Sequence, residues 1–433
     1  MTRVLCFALA MSAAPLAAQV AVDTGAHPIR LAEAIRLAQA NSPATVAARG
    51  QTATSTAGLR SAYAAFIPTV SLNMTSAQSS PVSHFNSTGQ AIPANPWQLS
   101  QGFSLGLEFF SGGKSMYNVA SARALLGAAE ANEVAQRYQV AYDVKVQYYA
   151  VLGAREAQRA AQAALDAAQQ QLKVSVAKVK AKTVTKSDSL RSLVQVGNAR
   201  LQILSADLTL QQSNAALTRL VATPTTVTAS EDDTLGASGA ALDSAMIARL
   251  ALAGPSVRAA NAQADAAHTG ALGSRSAWLP TMSVAYGRQR TTADSAFTLA
   301  PGGTYSGQLR FSMSYPIFNQ WLRESSIVQA DVAAANADAQ ARDTKYAAQQ
   351  NLVQYLGALR TAQQQFDIQA VSVAAAEEDL RVQQERYSMG VSTILDVLTS
   401  QSGLNAARVL LIQARFNYRV AKAQLEALVG SDL

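Results

Sequence analysis

Arg386-Tyr387-Ser388-Met389-Gly390-Val391-Ser392-Thr393-Ile394-Leu395-Asp396-Val397-Leu398 constrains this chain more than any other stretch, because a turn there separates two helical runs. Behind the turn, Val397, Leu404, Leu411, Tyr418 and Leu425 recur every seventh residue as a large seam position. Ser400, Ala407, Ala414, Ala421 and Leu428 form the small one. Ahead of it run Leu352, Leu359, Phe366, Val373 and Leu380. Heptads of this kind specify helices packed side by side, so the turn is the tip of a long antiparallel hairpin. The same pattern lies 208 residues earlier, where Asp188 answers Asp396 and Val196, Ile203, Leu210 and Leu217 answer the large seam. The chain is therefore an internal duplication.

The reading divides the chain into a leader at 1–18, a first unit at 27–222, a linker at 223–239 and a second unit at 240–430. Each unit opens on helices that restart at a proline, Pro43 or Pro255. Each then changes period at Pro68 or Pro280. In the first unit Trp97, Leu99, Phe103, Leu105, Leu107 and Phe109 alternate with Gln98, Ser100, Gly102, Ser104, Gly106 and Glu108. In the second, Tyr305, Leu309, Phe311 and Met313 alternate with Ser306, Gln308, Arg310 and Ser312. A period of two marks strands, so each unit carries one β-hairpin, at 68–110 and 280–316. The loops at the far ends are Pro81 to Pro96 and Ala293 to Gly303. Gly112-Gly113-Lys114 is read as the bend from strand to helix, since a phosphate-binding loop requires a different glycine spacing. The long helices following the hairpins are expected from near Met116 to Val184 and from near Leu322 to Met389.

Everything outside these hairpins is coiled-coil helix, which leaves no soluble core for their apolar faces to cover. Their strands are about ten residues long, with aromatics such as Phe66, Phe109, Trp278 and Trp321 at one end. Both traits match an outer-membrane barrel strand. Four strands cannot close a barrel, and lipid tolerates no open edge, so other copies must complete the wall. Two copies give eight strands and three give twelve. Glu108 and Arg310 fall on the polar face and are assigned to the barrel lumen. Arg288 shares the parity of the apolar face and is expected at the outer end of its strand.

Charged residues make up 15% of the chain, against about 25% on average. Low charge agrees with extensive hidden surface. The net charge of +7 is spread along helices without a nucleic-acid-binding motif, so no nucleic-acid partner is expected. Met1-Thr2-Arg3, the apolar run Val4 to Met11 and the small residues to Ala18 form a secretory signal peptide. The one cysteine, Cys6, lies inside it, so the mature protein is expected to carry no thiol. With His27, His84 and His268 isolated, no catalytic site, cofactor or metal site is expected. No apolar run is long enough for a membrane-spanning helix.

The full pattern resembles the TolC family of outer-membrane efflux proteins, from Leu31-Ala32-Glu33-Ala34 through Arg386-Tyr387-x-x-Gly390 and Asp396-Val397-Leu398 to Leu428-Val429-Gly430. The resemblance implies an α+β membrane protein, in which tandem helical hairpins form a tunnel and four β-strands per subunit close a twelve-stranded barrel as a homotrimer. It also implies outer-membrane lipid, a periplasmic adaptor and an inner-membrane transporter as partners. The adaptor-docking and gating tips then comprise Lys182, Val184, Asp188 and Leu190 in the first unit, with Arg386, Gly390, Val391, Ser392, Leu395, Asp396 and Leu398 in the second. Lys178, Lys180, Lys182 and Lys186 would ring the entrance and favour anionic cargo, or simply form a solvated helix face. Arg386 is placed to pair with Asp396 or Asp188. The rival reading is a periplasmic coiled-coil scaffold or surface-binding protein without a pore.

Overall fold

The computed structural model describes residues 26–78, 84–85, 87–88, 91–92, 97–230, 244–294 and 302–433. The leader at 1–18, most of both far-end loops, and the linker beyond Ser230 with the start of the second unit lie outside the described residues. The chain opens with β1 (His27–Ile29), α1 (Leu31–Asn41) and α2 (Pro43–Ala64). The first hairpin is β2 (Thr69–Gln78) and β5 (Trp97–Phe110), with a short ribbon of β3 (His84–Phe85) and β4 (Ala91–Ile92) between them. Then come α3 (Lys114–Lys180), α4 (Lys186–Val221) and β6 (Val227–Ala229). The second unit runs through α5 (Ser244–Leu252), α6 (Pro255–Ser274), β7 (Thr281–Asp294), β8 (Thr304–Ser314), α7 (Leu322–Ser388) and α8 (Ile394–Val429).

The two units keep one register. Helices α3 and α7 each hold 67 residues, and α4 and α8 each hold 36. At 1.5 Å per residue the longer pair reaches roughly 100 Å. Left-handed backbone also repeats at the same spacing: Gly112 with Gln320, Gly113 with Trp321, Lys182 with Gly390, and Ala222 with Gly430. Each pair holds one glycine and one residue that carries a Cβ. The turn geometry thus persists in both units even where the residue best suited to it is missing.

The seam positions are where the helices bury one another. Val397, Leu404, Tyr418 and Leu425 on α8 are buried, as are Leu352, Leu359 and Leu380 on α7, while Val196, Ala199 and Leu217 line the α4 side of the first hairpin. Buried alanines such as Ala168, Ala414 and Ala421 leave room for close approach.

Val227–Ala229 falls inside the stretch read as linker, yet it forms a strand parallel to β1. This ribbon lies on α3. The Tyr148 hydroxyl donates to the Ile29 carbonyl at 2.9 Å and accepts from the Ser230 N–H at 3.1 Å. The Arg155 guanidinium donates to the Ser230 carbonyl and the Thr228 hydroxyl, each at 3.1 Å. Behind the ribbon, Val144, Tyr148, Val151, Leu217 and Val221 form a core that is almost wholly buried. Nothing in the local periodicity of three-residue strands announces such a pairing.

Candidate functional site

The two hairpins join into one antiparallel sheet in the order β2-β5-β7-β8, with β5 paired to β7 from Trp97 against Asp294 down to Phe110 against Met282. The register keeps the parities in step. Thr69, Gly106, Ala285 and Arg310 stand in one row, and Glu108, Ser283 and Ser312 in the next. Hydroxyl pairs tie neighbouring strands on this face, Ser71 to Ser104 at 2.7 Å and Ser283 to Ser312 at 2.8 Å. The same face lines a trough of about 310 Å³ whose walls include Asn73, Ser100, Gln289, Gln308 and Arg310. Glu108 and Arg310 therefore share the polar face, as expected.

The opposite face is apolar and uncovered. Leu72 is 84% exposed and Phe311 71%, with Val70, Met74, Leu309 and Met313 also exposed beside them. So large a continuous apolar surface marks contact with lipid or protein. Where strands meet helices, Phe66, Ile67, Trp278, Ile317, Phe318 and Trp321 are exposed as a belt. A bulge between Glu108 and Phe110 brings consecutive phenylalanines, Phe109 and Phe110, to this end. Arg323 packs its guanidinium 3.4 Å over the Trp278 ring and fixes one of the indoles. Among the described residues no helix is long and apolar enough to cross a membrane.

Arg288 departs from expectation. Strand β7 continues to Asp294, which leaves Arg288 inside the strand, opposite Phe103 and Gly307. Its guanidinium lies 5.3 Å from the ring centre of Tyr305, an arrangement that shelters a charge on an apolar face. The alternation of β7 lapses after Tyr286, so parity alone does not tell how far along the strand Arg288 lies.

At the far end of the long helices the two tips share one backbone design. In the first, the Lys182 N–H bonds the Val179 carbonyl and the Thr183 N–H the Lys178 carbonyl, each at 3.0 Å. In the second, Gly390 bonds Tyr387 and Val391 bonds Arg386. Both are Schellman closures, which need a left-handed residue, here Lys182 at φ 59° and Gly390 at φ 80°. The helix restarts differ more. Thr393 accepts from the Asp396 N–H at 3.3 Å, and the Asp396 carboxylate accepts from the Thr393 N–H at 2.8 Å, a reciprocal capping box. In the first tip Thr185 donates its hydroxyl to Asp188 at 3.2 Å without closing that box.

Asp396 is therefore a capping residue. The Thr393 N–H, with the Thr393 and Ser392 hydroxyls, holds its carboxyl below the usual carboxylate range, and Arg386 contributes least. Arg386 makes no ion pair with Asp396 or Asp188 among the described residues. Ile394 and Val397 are buried under the turn, whereas Val391, Leu395 and Leu190 are largely exposed, with Val184 and Leu398 between those extremes.

The two tips meet through Lys178. Its ammonium lies 4.0 Å from the centre of the buried Tyr387 ring and donates to the Tyr387 carbonyl, at the C-terminus of α7. Sequence reasoning placed Lys178 with the cations of the entrance. It stands instead against the second hairpin, where the Tyr387 carbonyl, already accepting from the Gly390 N–H, has a second lone pair for a cation at the negative end of the helix. Lys180, Lys182 and Lys186 remain exposed and make no ion pair among the described residues. Sequence reasoning missed the cap, although the Thr393-x-x-Asp396 spacing is its signature, and no local signal pointed to the partner of Lys178.

Among known families, the chain matches the model described as outer membrane efflux protein over residues 34–223 and 247–431. It belongs to the outer membrane efflux protein family. This channel is an exit duct of the outer membrane, and the family is one of channels rather than enzymes. Similar solved structures include the outer membrane protein VceC of Vibrio cholerae, 18% identical with a TM-score of 0.73, covering 93% of this chain and 96% of that one. Another is the MtrE outer membrane channel of Neisseria gonorrhoeae, 19% identical with a TM-score of 0.75, covering 93% and 89%. A membrane protein from Pseudomonas aeruginosa aligns with a TM-score of 0.77 at 18% identity, covering 92% of this channel and 93% of that chain. Likeness at that identity speaks for the fold alone. No curated protein matches the sequence.

Proposed function

We propose that the channel works as a homotrimer in which β8 of each subunit pairs with β2 of the next, so that three four-stranded sheets close a twelve-stranded barrel. The observation that carries this reading is the sheet order, which leaves β2 and β8 as open edges of a sheet with an apolar and a polar face. Open edges in lipid forfeit several kcal/mol per unpaired group, so closure by further copies is required. The apolar face then meets lipid, the aromatic belt sits at the periplasmic boundary, and the polar face with Glu108 and Arg310 lines the lumen. Exposed apolar residues along the helices, Leu201, Leu204 and Leu208 on α4 and Val353, Ile368 and Val371 on α7, are what neighbouring subunits would cover.

In this reading the units 27–222 and 240–430 each build half of a subunit's wall. Both tips lie at the inner end of the tunnel, where they dock a periplasmic adaptor joined to an inner-membrane transporter and gate the entrance. Cargo passes along the duct unchanged. The test is single-channel conductance of the detergent-purified channel in a planar bilayer, with the oligomeric mass measured on the same sample. A trimer giving small, gated currents is expected; a monomer without current would overturn the barrel.

A further inference from the structure

The apolar face of the sheet is interrupted in one place. On the side that carries Val70, Tyr286 and Leu309, the register sets Arg288 between Phe103 and Gly307, and Arg290 between Gln101 and Tyr305. Two cations thus stand two residues apart on the apolar side of β7, an inner strand with β5 and β8 as its neighbours, so no subunit edge can cover them. A charge on the lipid side of a barrel is costly at mid-depth and tolerated only near the boundary. From Thr281, at the aromatic belt, Arg288 lies seven residues along β7 and Arg290 nine. At about 3.3 Å per residue and a tilt of about 40°, they stand roughly 18 and 23 Å above the belt, near the top of an apolar band about 25 Å tall. Their long side chains carry the guanidinium groups further toward the headgroups.

The surroundings form a notch rather than a bare pair of charges. Gly307, opposite Arg288, presents no side chain, and a Cβ there would meet the Tyr286 hydroxyl at 3.7 Å. The Tyr305 ring, 62% exposed, closes one side with the Arg288 guanidinium 5.3 Å from its centre. Arg290 Nε donates to the Gly302 carbonyl at 2.6 Å, which fixes that side chain near the strand end. Arg288 is exposed and makes no ion pair among the described residues.

Resting on the reading that this face meets lipid, we infer that the notch binds the anionic phosphate headgroup of a lipid in the outer leaflet. Guanidinium groups offer paired N–H donors to phosphate oxygens, and the Tyr286 hydroxyl supplies a further donor. The missing side chain at Gly307 leaves room for the headgroup, and the acyl chains run down over the exposed Leu309 and Phe311. Free phosphate shares the headgroup's chemistry but has no chains to lay on this wall. The notch opens on the apolar face and not on the lumen, which makes a lipid its occupant.

The test is lipid binding to the full detergent-solubilised channel, read by native mass spectrometry, which gives the oligomeric mass of the same particles. The probes are phosphatidylglycerol and phosphatidylcholine with identical acyl chains. Trimers are expected to hold phosphatidylglycerol about tenfold more tightly. R288Q/R290Q should remove that preference, and R288K/R290K should keep part of it. G307L, which fills the notch at unchanged charge, should lower it several-fold. Circular dichroism and trimer mass confirm that each variant folds. Excess inorganic phosphate at constant ionic strength should leave the lipid bound; displacement would assign a free-anion site and overturn the lipid. Trimers without the preference, or a preference that G307L leaves intact, overturn the notch while the barrel stands. Monomeric particles, or a preference removed by R310Q on the polar face and kept by R288Q/R290Q, overturn the barrel reading on which the inference rests.

Discussion

The Lys178 ammonium lies 4.0 Å from the centre of the Tyr387 ring and bonds the Tyr387 carbonyl, joining hairpins whose sequences are 209 residues apart at that point. It satisfies a helix terminus that would otherwise face solvent, and it neutralises part of the dipole there. A half-buried cation over an aromatic ring contributes about 1 kcal/mol, and a hydrogen bond from a charged donor about 1.5 kcal/mol.

Lys178→Gln should therefore loosen the contact between the tips and raise the mean conductance of the trimer in a planar bilayer. Lys178→Arg keeps the charge and should restore most of the closed state. If Gln and wild type gave the same current histogram, Lys178 would have no part in gating.

The capping box predicts a pH response. Because hydrogen bonds from Thr393 and Ser392 depress the Asp396 pKa, the stability it lends the tip is fully present above the ordinary carboxylate pKa. It is lost as pH falls through the lowered folded value. Amide exchange at the start of α8 should accelerate on acidification, and Asp396→Asn should show the fast rate already at neutral pH. Thr393→Ala, which removes the hydroxyl acceptor, should cost about 1 kcal/mol. An acid-independent exchange rate would remove Asp396 from the cap.

Backbone strain separates the two tips. Lys182→Gly should stabilise the first turn by about 1 kcal/mol, since glycine takes a positive φ freely. Gly390→Ala should destabilise the second by about the same amount without any clash, because open space surrounds it. Thermal unfolding of the trimer, compared between the two variants, should show shifts of opposite sign.

Lys145 ties α3 to the C-terminus of α8 through Glu426 at 2.6 Å and Asp432 at 3.0 Å. Burial works to lower its pKa, but the two carboxylates together raise it above the ordinary lysine value. Its contribution is thus complete below the unfolded pKa and disappears as pH rises through the folded one. Lys145→Ala leaves the partly buried Glu426 with the Leu433 N–H at 3.3 Å and Lys422 at 4.0 Å, and should cost about 2 kcal/mol, a figure below that of a fully buried pair. Unfolding at neutral pH measures it, and an unchanged midpoint would show the pair to be solvated.

The lumen assignment predicts opposite effects of its two charges. Arg310→Gln should shift the permeability ratio toward cations and Glu108→Gln toward anions, by about twofold each, since wide water-filled pores screen single charges. Reversal potentials across a salt gradient would decide, and no shift from either variant would place both side chains away from the pore.

How much was legible follows from the range of each signal. Heptads at Val397 to Leu425 and alternation at Trp97 to Phe109 are local, and they named helices, strands and the faces they bury. The duplication was equally plain, because Asp188 and Asp396 sit in matching patterns. Periodicity says which face of an element is covered; it does not say by what. That β5 pairs with β7, that Val227–Ala229 joins His27–Ile29 on Tyr148 and Arg155, and that Lys178 reaches Tyr387 while Arg386 makes no ion pair among the described residues were decided by tertiary structure alone. Such contacts depend on where distant segments come to lie, and a side chain near several possible partners takes the one that packing brings within hydrogen-bonding distance.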